Sequence, residues 1–105
     1  MAERLNQETF TYFVTGSTLP VLADFYQDGC IPCRRAAPLL SKAEAEYAGK
    51  LTVARVNLTQ NAELAEQYQI AAAPTLILFR AGEEVARHRG IIDRDELKKL
   101  IESAL

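Results

Sequence analysis

The sequence predicts an α/β fold, a central mixed sheet flanked by helices. Three observations carry this. Residues 21–26, 51–58 and 75–79 are short, largely apolar runs with the length of buried strands. Segments of helical periodicity alternate with them. The chain then closes on a hairpin pattern and one more amphipathic segment, so the sheet must be mixed.

The elements follow in order. Asn6 reads as a helix cap ahead of Phe10, Phe13 and Val14, with Gly16-Ser17 as the stop. The run 21–26, entered after Pro20, is apolar apart from Asp24. A helix is expected over 32–47, with Ala36, Leu39, Leu40, Ala43 and Tyr47 on one face. Pro38 inside it should kink it, and Gly49 closes it. The strand 51–58 carries Val53, Val56 and one charged residue, Arg55. Asn61 can cap a short helix with Leu64 and Tyr68 inward. After the strand 75–79, Ala81-Gly82 forms a turn and 84–88 its hairpin partner. Asp93-x-x-Glu96 is a capping-box pattern, followed by the apolar stripe Leu97, Leu100, Ile101 and Leu105.

A chain of 105 residues is expected to form one domain, 1–105, whose core needs no covalent staple. Apolar residues are 49% and charged residues 25%, as in an ordinary globular protein. A net charge of −2, with Lys and Arg scattered, argues against a nucleic-acid partner. The polar N-terminus lacks a signal peptide's apolar stretch, and no run approaches the ~18 residues of a membrane span. The expected compartment is the cytoplasm, where disulfides are transient and catalytic.

Chemistry concentrates in Gly29-Cys30-Ile31-Pro32-Cys33, which holds the only two cysteines. Two thiols at this spacing can close and reopen a small disulfide ring. Cys30 is expected at a helix start, where backbone N–H groups and the dipole stabilise a thiolate, the nucleophilic form. Pro32 suits the first turn, where a missing N–H costs nothing. Cys33 falls one turn in, more buried and suited to resolving a mixed disulfide. Arg34 and Arg35 either add positive potential or point to solvent. The rivals are two buried structural thiols and a metal site. A mononuclear zinc site wants four ligands, and this chain offers two thiols and His88. His88 reads as a surface or edge histidine without a role. After a strand and opening a helix, the pair favours redox chemistry.

Asp24 is an acid inside an apolar strand, which is costly to bury charged. It calls for a partner or a raised pKa. Arg55 is the candidate partner, and the functional reading has Asp24 handling the proton of Cys33. The other reading is a strand-edge carboxylate in water. Ala71-Ala72-Ala73-Pro74-Thr75 precedes a core strand, and its proline is either cis or an ordinary turn residue.

With these residues placed, the chain resembles the thioredoxin family from Leu5 to Leu105, essentially without gaps. The matching stretches are Val21-Leu22-Ala23-Asp24-Phe25-Tyr26, Cys30-x-Pro32-Cys33, Ala37-Pro38, the run 49–57, Ala73-Pro74-Thr75 and Gly90. The resemblance implies a thioredoxin fold, with Cys30 attacking and Cys33 resolving. It implies that Asp24 is the buried acid behind the cysteines and Pro74 a cis-proline facing the disulfide. Ala73 would offer its backbone to an extended substrate, and Gly90 would border the same groove. Pro38 matches the family's helix-kinking proline.

Four departures from the family pattern stand out. Gly29 replaces the usual Trp, and Ile31 replaces Gly between the cysteines. Tyr26 replaces a strand Trp, and Arg55 replaces a lysine. Arg keeps its proton, so any relay must run through Asp24 and water, with Asp24 held charged more firmly than by a lysine. Gly29 exposes Cys30, and Ile31 adds an apolar bump where a partner would touch.

The resulting expectation is a protein-disulfide reductase and redox carrier with no bound cofactor and no metal. Its partners would be disulfide-containing proteins and a thioredoxin reductase or equivalent donor, and it would act as a monomer. The alternatives are a specialised member with a dedicated reductase or client, a groove-binding module with dispensable thiols, and a metal-bridged dimer.

Overall fold

The computed structural model describes residues 3–105. The first two positions of the polar N-terminal stretch lie outside the described residues. The chain runs β1 (Glu3–Leu5), α1 (Phe10–Gly16), β2 (Val21–Tyr26), α2 (Ile31–Glu46), β3 (Thr52–Asn57), α3 (Ala62–Gln67), β4 (Thr75–Arg80), β5 (Glu83–Arg89) and α4 (Arg94–Glu102).

The sheet order is β1-β3-β2-β4-β5. β1, β3 and β2 are parallel, whereas β4 is antiparallel to both β2 and β5. The central strand β2 is buried along most of its length, as its continuous apolar run requires. Successive side chains alternate between two covered faces. Leu22, Val53, Leu76 and Leu78 pack under α2 and α4 against Ala36, Leu40, Leu97 and Ile101. Val21, Phe25, Val56, Ile77 and Phe79 pack on the other face with Phe10, Val14 and Leu64. Phe10 anchors that second core, its ring 5.7 Å from Phe25, 5.4 Å from Tyr68 and 5.5 Å from Phe79. Tyr68 is therefore inward, as expected.

Several local readings hold, one of them shifted: Asn6 Oδ1 accepts the N–H groups of Glu8 and Thr9 in the turn before α1, whose own N-cap is Thr9 without a side-chain bond. The Asp93–Glu96 capping box has both of its hydrogen bonds. Helix α2 continues through Pro38, which leaves the Arg34 carbonyl without its i+4 donor.

Three readings need correction. β1 was not anticipated: it is three residues long, only Leu5 is buried, and it exists through its parallel pairing with β3. Asn61 does not cap α3 with its side chain. It turns inward, accepting the N–H of Gln7 at 3.1 Å and donating to the Asn57 carbonyl at 2.9 Å. Gln7 Oε1 takes over the capping task across the fold by accepting the N–H of Glu63. Leu105, expected on the apolar stripe, is half exposed at the chain end.

Candidate active site

The disulfide forms where β2 hands the chain to α2. Tyr26 ends the strand, and Gly29 makes the turn with φ +74°, a left-handed value that favours glycine. Cys30 is the N-cap of α2, and Pro32 fits the first turn. Cys30 and Cys33 are joined as a disulfide. The Sγ of Cys30 also accepts the backbone N–H of Cys33 at 3.2 Å. Cys30 is half-buried, whereas Cys33 is only 3% exposed. One sulfur is therefore reachable from outside and the other lies inside the fold.

Across from the disulfide, the Ala73–Pro74 peptide is cis. The Ala73 carbonyl oxygen lies 3.6 Å from Cys30 Sγ. The Pro74 carbonyl accepts the N–H of Gly90 at 2.7 Å, which joins the proline loop to the loop after β5. Thr75 Oγ1 donates to the Ala72 carbonyl at 2.6 Å and steadies the same loop. Ile31, next to Cys30, is 60% exposed, and a side chain at Gly29 would meet no neighbour.

Behind the cysteines lies an ion pair. Asp24 and Arg55 are lateral neighbours in the parallel β2–β3 register. Arg55 Nε donates to Asp24 Oδ2 at 3.2 Å, with the Asp24 side chain fully enclosed. The guanidinium also lies 4.0 Å from the centre of the Tyr26 ring, a cation–π contact from the diagonal position on the same face. Asp24 Oδ1 is buried without a hydrogen-bond partner. Burial pushes the Asp24 carboxyl up from 3.8 to about 6, against the lowering pull of Arg55's charge and hydrogen bond. Arg55 is thus the partner expected, but its attraction does not outweigh desolvation.

An open groove of about 450 Å³ runs along this side and is lined by Tyr26, Gly29, Cys30, Cys33, Arg34 and Arg55 among others. Arg34 belongs to its wall, whereas Arg35 is simply exposed. Cys30, Cys33, Gly29, Ile31, Pro32, Ala73, Pro74 and Gly90 thus converge on one end of the sheet, with Asp24 and Arg55 behind them. Two contacts were not anticipated. Tyr26 under Arg55 follows from the strand register, which the sequence alone does not supply. The other involves His88, whose Nε2 lies 2.7 Å from the Ile91 carbonyl. Among the described residues, no group of three or more His, Cys, Asp and Glu side chains is placed to hold a metal ion.

A disulfide across the first turn of a helix, with one sulfur accessible and a groove alongside, acts as an exchangeable redox group. In this fold it defines a thiol–disulfide oxidoreductase. The family model described as Thioredoxin matches residues 1–103. Thioredoxin 1 of Nostoc sp. (strain PCC 7120 / SAG 25.82 / UTEX 2576) is 36% identical over 104 residues, covering 99% of this chain and 97% of that protein. The thioredoxin of Chlamydia caviae is 40% identical over 101 residues, 96% of each chain, and that of Acidithiobacillus ferridurans 37% over 101 residues, 96% of this chain and 94% of that one. The chain belongs to the thioredoxin family. It is a protein-disulfide oxidoreductase whose redox group is the Cys30–Cys33 disulfide itself. Among the described residues, no helix is long and apolar enough to cross a membrane.

Proposed function

We propose that Cys30 is the attacking thiol and Cys33 the resolving thiol of a reductase working as one domain over residues 1–105. The observation that carries this assignment is the asymmetry of the pair. Cys30 caps α2 and accepts a backbone N–H, while Cys33 is enclosed. The helix start stabilises the Cys30 thiolate.

In the first step the thiolate attacks one sulfur of a client disulfide. The client's S–S bond breaks, its other sulfur leaves as a thiolate and takes a proton, and a mixed disulfide remains. Cys33 then loses its proton and attacks Cys30 Sγ, releasing the second client thiolate. The client has gained two electrons and the pair is again a disulfide. Asp24, poised near pH 6 with one oxygen unpartnered, receives the Cys33 proton through water. Arg55 keeps its own proton and acts on Asp24 by charge alone.

The client is a disulfide-containing protein whose extended segment pairs with the Ala73 backbone, as an added strand would. Pro74 and Gly90 shape that edge. Gly29, Ile31 and Pro32 form the opposite lip. A thioredoxin reductase or equivalent donor returns the two electrons, and the protein works as a monomer in the cytoplasm. The exposed Ile31 beside a side-chain-free Gly29 favours a second reading, a member serving a dedicated reductase or client set.

Insulin reduction with dithiothreitol as electron source tests the main reading. Wild type should accelerate precipitation of the reduced chains, and Cys30→Ser should not. Failure of wild type would sink the proposal. Recycling by a general NADPH-dependent thioredoxin reductase separates the two roles: fast turnover favours the general carrier, and negligible turnover favours the specialised one.

A further inference from the structure

The loop after β5 is fastened at three consecutive residues, and each fastening is different. Gly90, at φ +82°, donates its N–H to the Pro74 carbonyl at 2.7 Å. Ile91 offers its carbonyl to His88 Nε2 at 2.7 Å. Ile92 is buried in the core under α2 and α4. Between these anchors the Ile91 side chain is left 71% exposed, one residue from the backbone that holds Pro74.

His88 is placed for this by strand register. It pairs with Leu76, which pairs with Asp24 on the other side, so all three share the sheet face under α2 and α4. From there the half-buried ring reaches forward to the loop. A carbonyl can only accept, so Nε2 carries the hydrogen in this contact.

We propose that His88 is a positioning residue for client binding. Its Nε2–H···O=C bond to Ile91 holds the Ile91 side chain out as an apolar contact at the client-binding edge. The client segment it selects has an apolar side chain beside its cysteine. Ile31 flanks the same edge from the Cys30 side, because Cys30 Sγ lies against the Ala73 carbonyl and Pro74 holds Gly90. The inference rests on the disulfide-reducing role proposed above.

The test compares pre-reduced protein reacting with insulin and with dithiobis(nitrobenzoate), a small disulfide with no peptide to dock. Wild type is measured first. If it reduces neither disulfide, the reductase role itself fails. If it reduces both, the ratio of the insulin rate to the small-disulfide rate becomes the readout. His88→Ala should lower this ratio about three- to tenfold, the scale of one lost hydrogen bond. His88→Gln, whose amide Nε2 can replace the ring donor, should restore most of it. Ile91→Ser should lower the ratio similarly, and adding His88→Ala to it should change it by less than about twofold, since both act through one side chain. An unchanged ratio in His88→Ala, or a full loss that His88→Gln does not restore, would overturn the assignment.

Discussion

Arg55 satisfies only half of Asp24. Its Nε donates to Oδ2 at 3.2 Å, while Oδ1 is equally enclosed and unpartnered. The guanidinium is shared with Tyr26, whose ring lies 4.0 Å away, and the Arg55 side chain stays 28% exposed. Burial pushes the carboxyl up, and Arg55's charge and single hydrogen bond recover only part of that, so Asp24 lies near pH 6 instead of 3.8. That is the range in which an acid can both take and return a proton in the cell.

The same shift makes Asp24 a cost to stability. Between pH 3.8 and about 6 the folded protein holds a proton that the unfolded chain has lost. The contribution of Asp24 to stability therefore falls as pH rises through that window and stays low above it. The shift corresponds to roughly 3 kcal/mol as an upper limit. Asp24→Asn should stabilise the oxidised protein by about 1–3 kcal/mol at about pH 8, with the gap narrowing towards pH 4. Urea unfolding at the two pH values reads this. A wild type more stable than the variant at the higher pH would contradict it.

Arg55 lowers the Asp24 pKa by both charge and hydrogen bond. Arg55→Leu should therefore move the Asp24 titration above pH 6. Tyr26→Leu, which frees the guanidinium from its ring contact and leaves it to Asp24 alone, should shift it in the opposite direction by less. Carboxyl NMR chemical shifts followed against pH measure both. A downward movement in Arg55→Leu would be inconsistent with this account.

Gly29 should resist substitution for backbone reasons alone. A Cβ there meets nothing within 4 Å, yet φ is +74°. Gly29→Ala should cost about 1 kcal/mol in thermal or urea unfolding, without any clash. Equal stability would show that the loop relaxes to another conformation.

Asn61 is a buried bridge, not a helix cap, and the two roles predict different rescues. Asn61→Ala strands the Gln7 N–H and leaves the Asn57 carbonyl only the N–H of Gln60, and should cost about 2 kcal/mol. Asn61→Ser, an adequate cap, should recover little of that loss, because its short side chain cannot span both partners. Near-complete recovery in denaturant unfolding would restore the capping role.

The fold was legible wherever one residue pattern filled an element. The run Val21–Tyr26 is almost wholly apolar because β2 is covered on both faces, and the capping box announced α4. β1 gave no signal because three residues with one buried side chain carry no periodicity. Asn61 misled because its local pattern suits a cap, while a residue 54 positions away decides its partner. At the site, Cys30, Cys33, Asp24 and Pro74 were readable as residue types in unusual surroundings. For Asp24 the sequence offered a partner or a raised pKa; that it has both was not readable, because the outcome depends on how far burial outweighs Arg55, which reaches one of two oxygens. The bond from His88 was invisible for a similar reason: it comes from strand register and a loop path, and neither leaves a motif.

The division of labour between the two sulfurs is most directly tested by trapping. Reduced Cys33→Ser and Cys30→Ser variants are each mixed with an oxidised client protein, quenched by alkylation and analysed by intact mass. Cys33→Ser should accumulate a covalent client adduct through Cys30, and Cys30→Ser should form essentially none, because Cys33 is enclosed. Adducts forming through Cys33 in Cys30→Ser, with none in Cys33→Ser, would contradict the account.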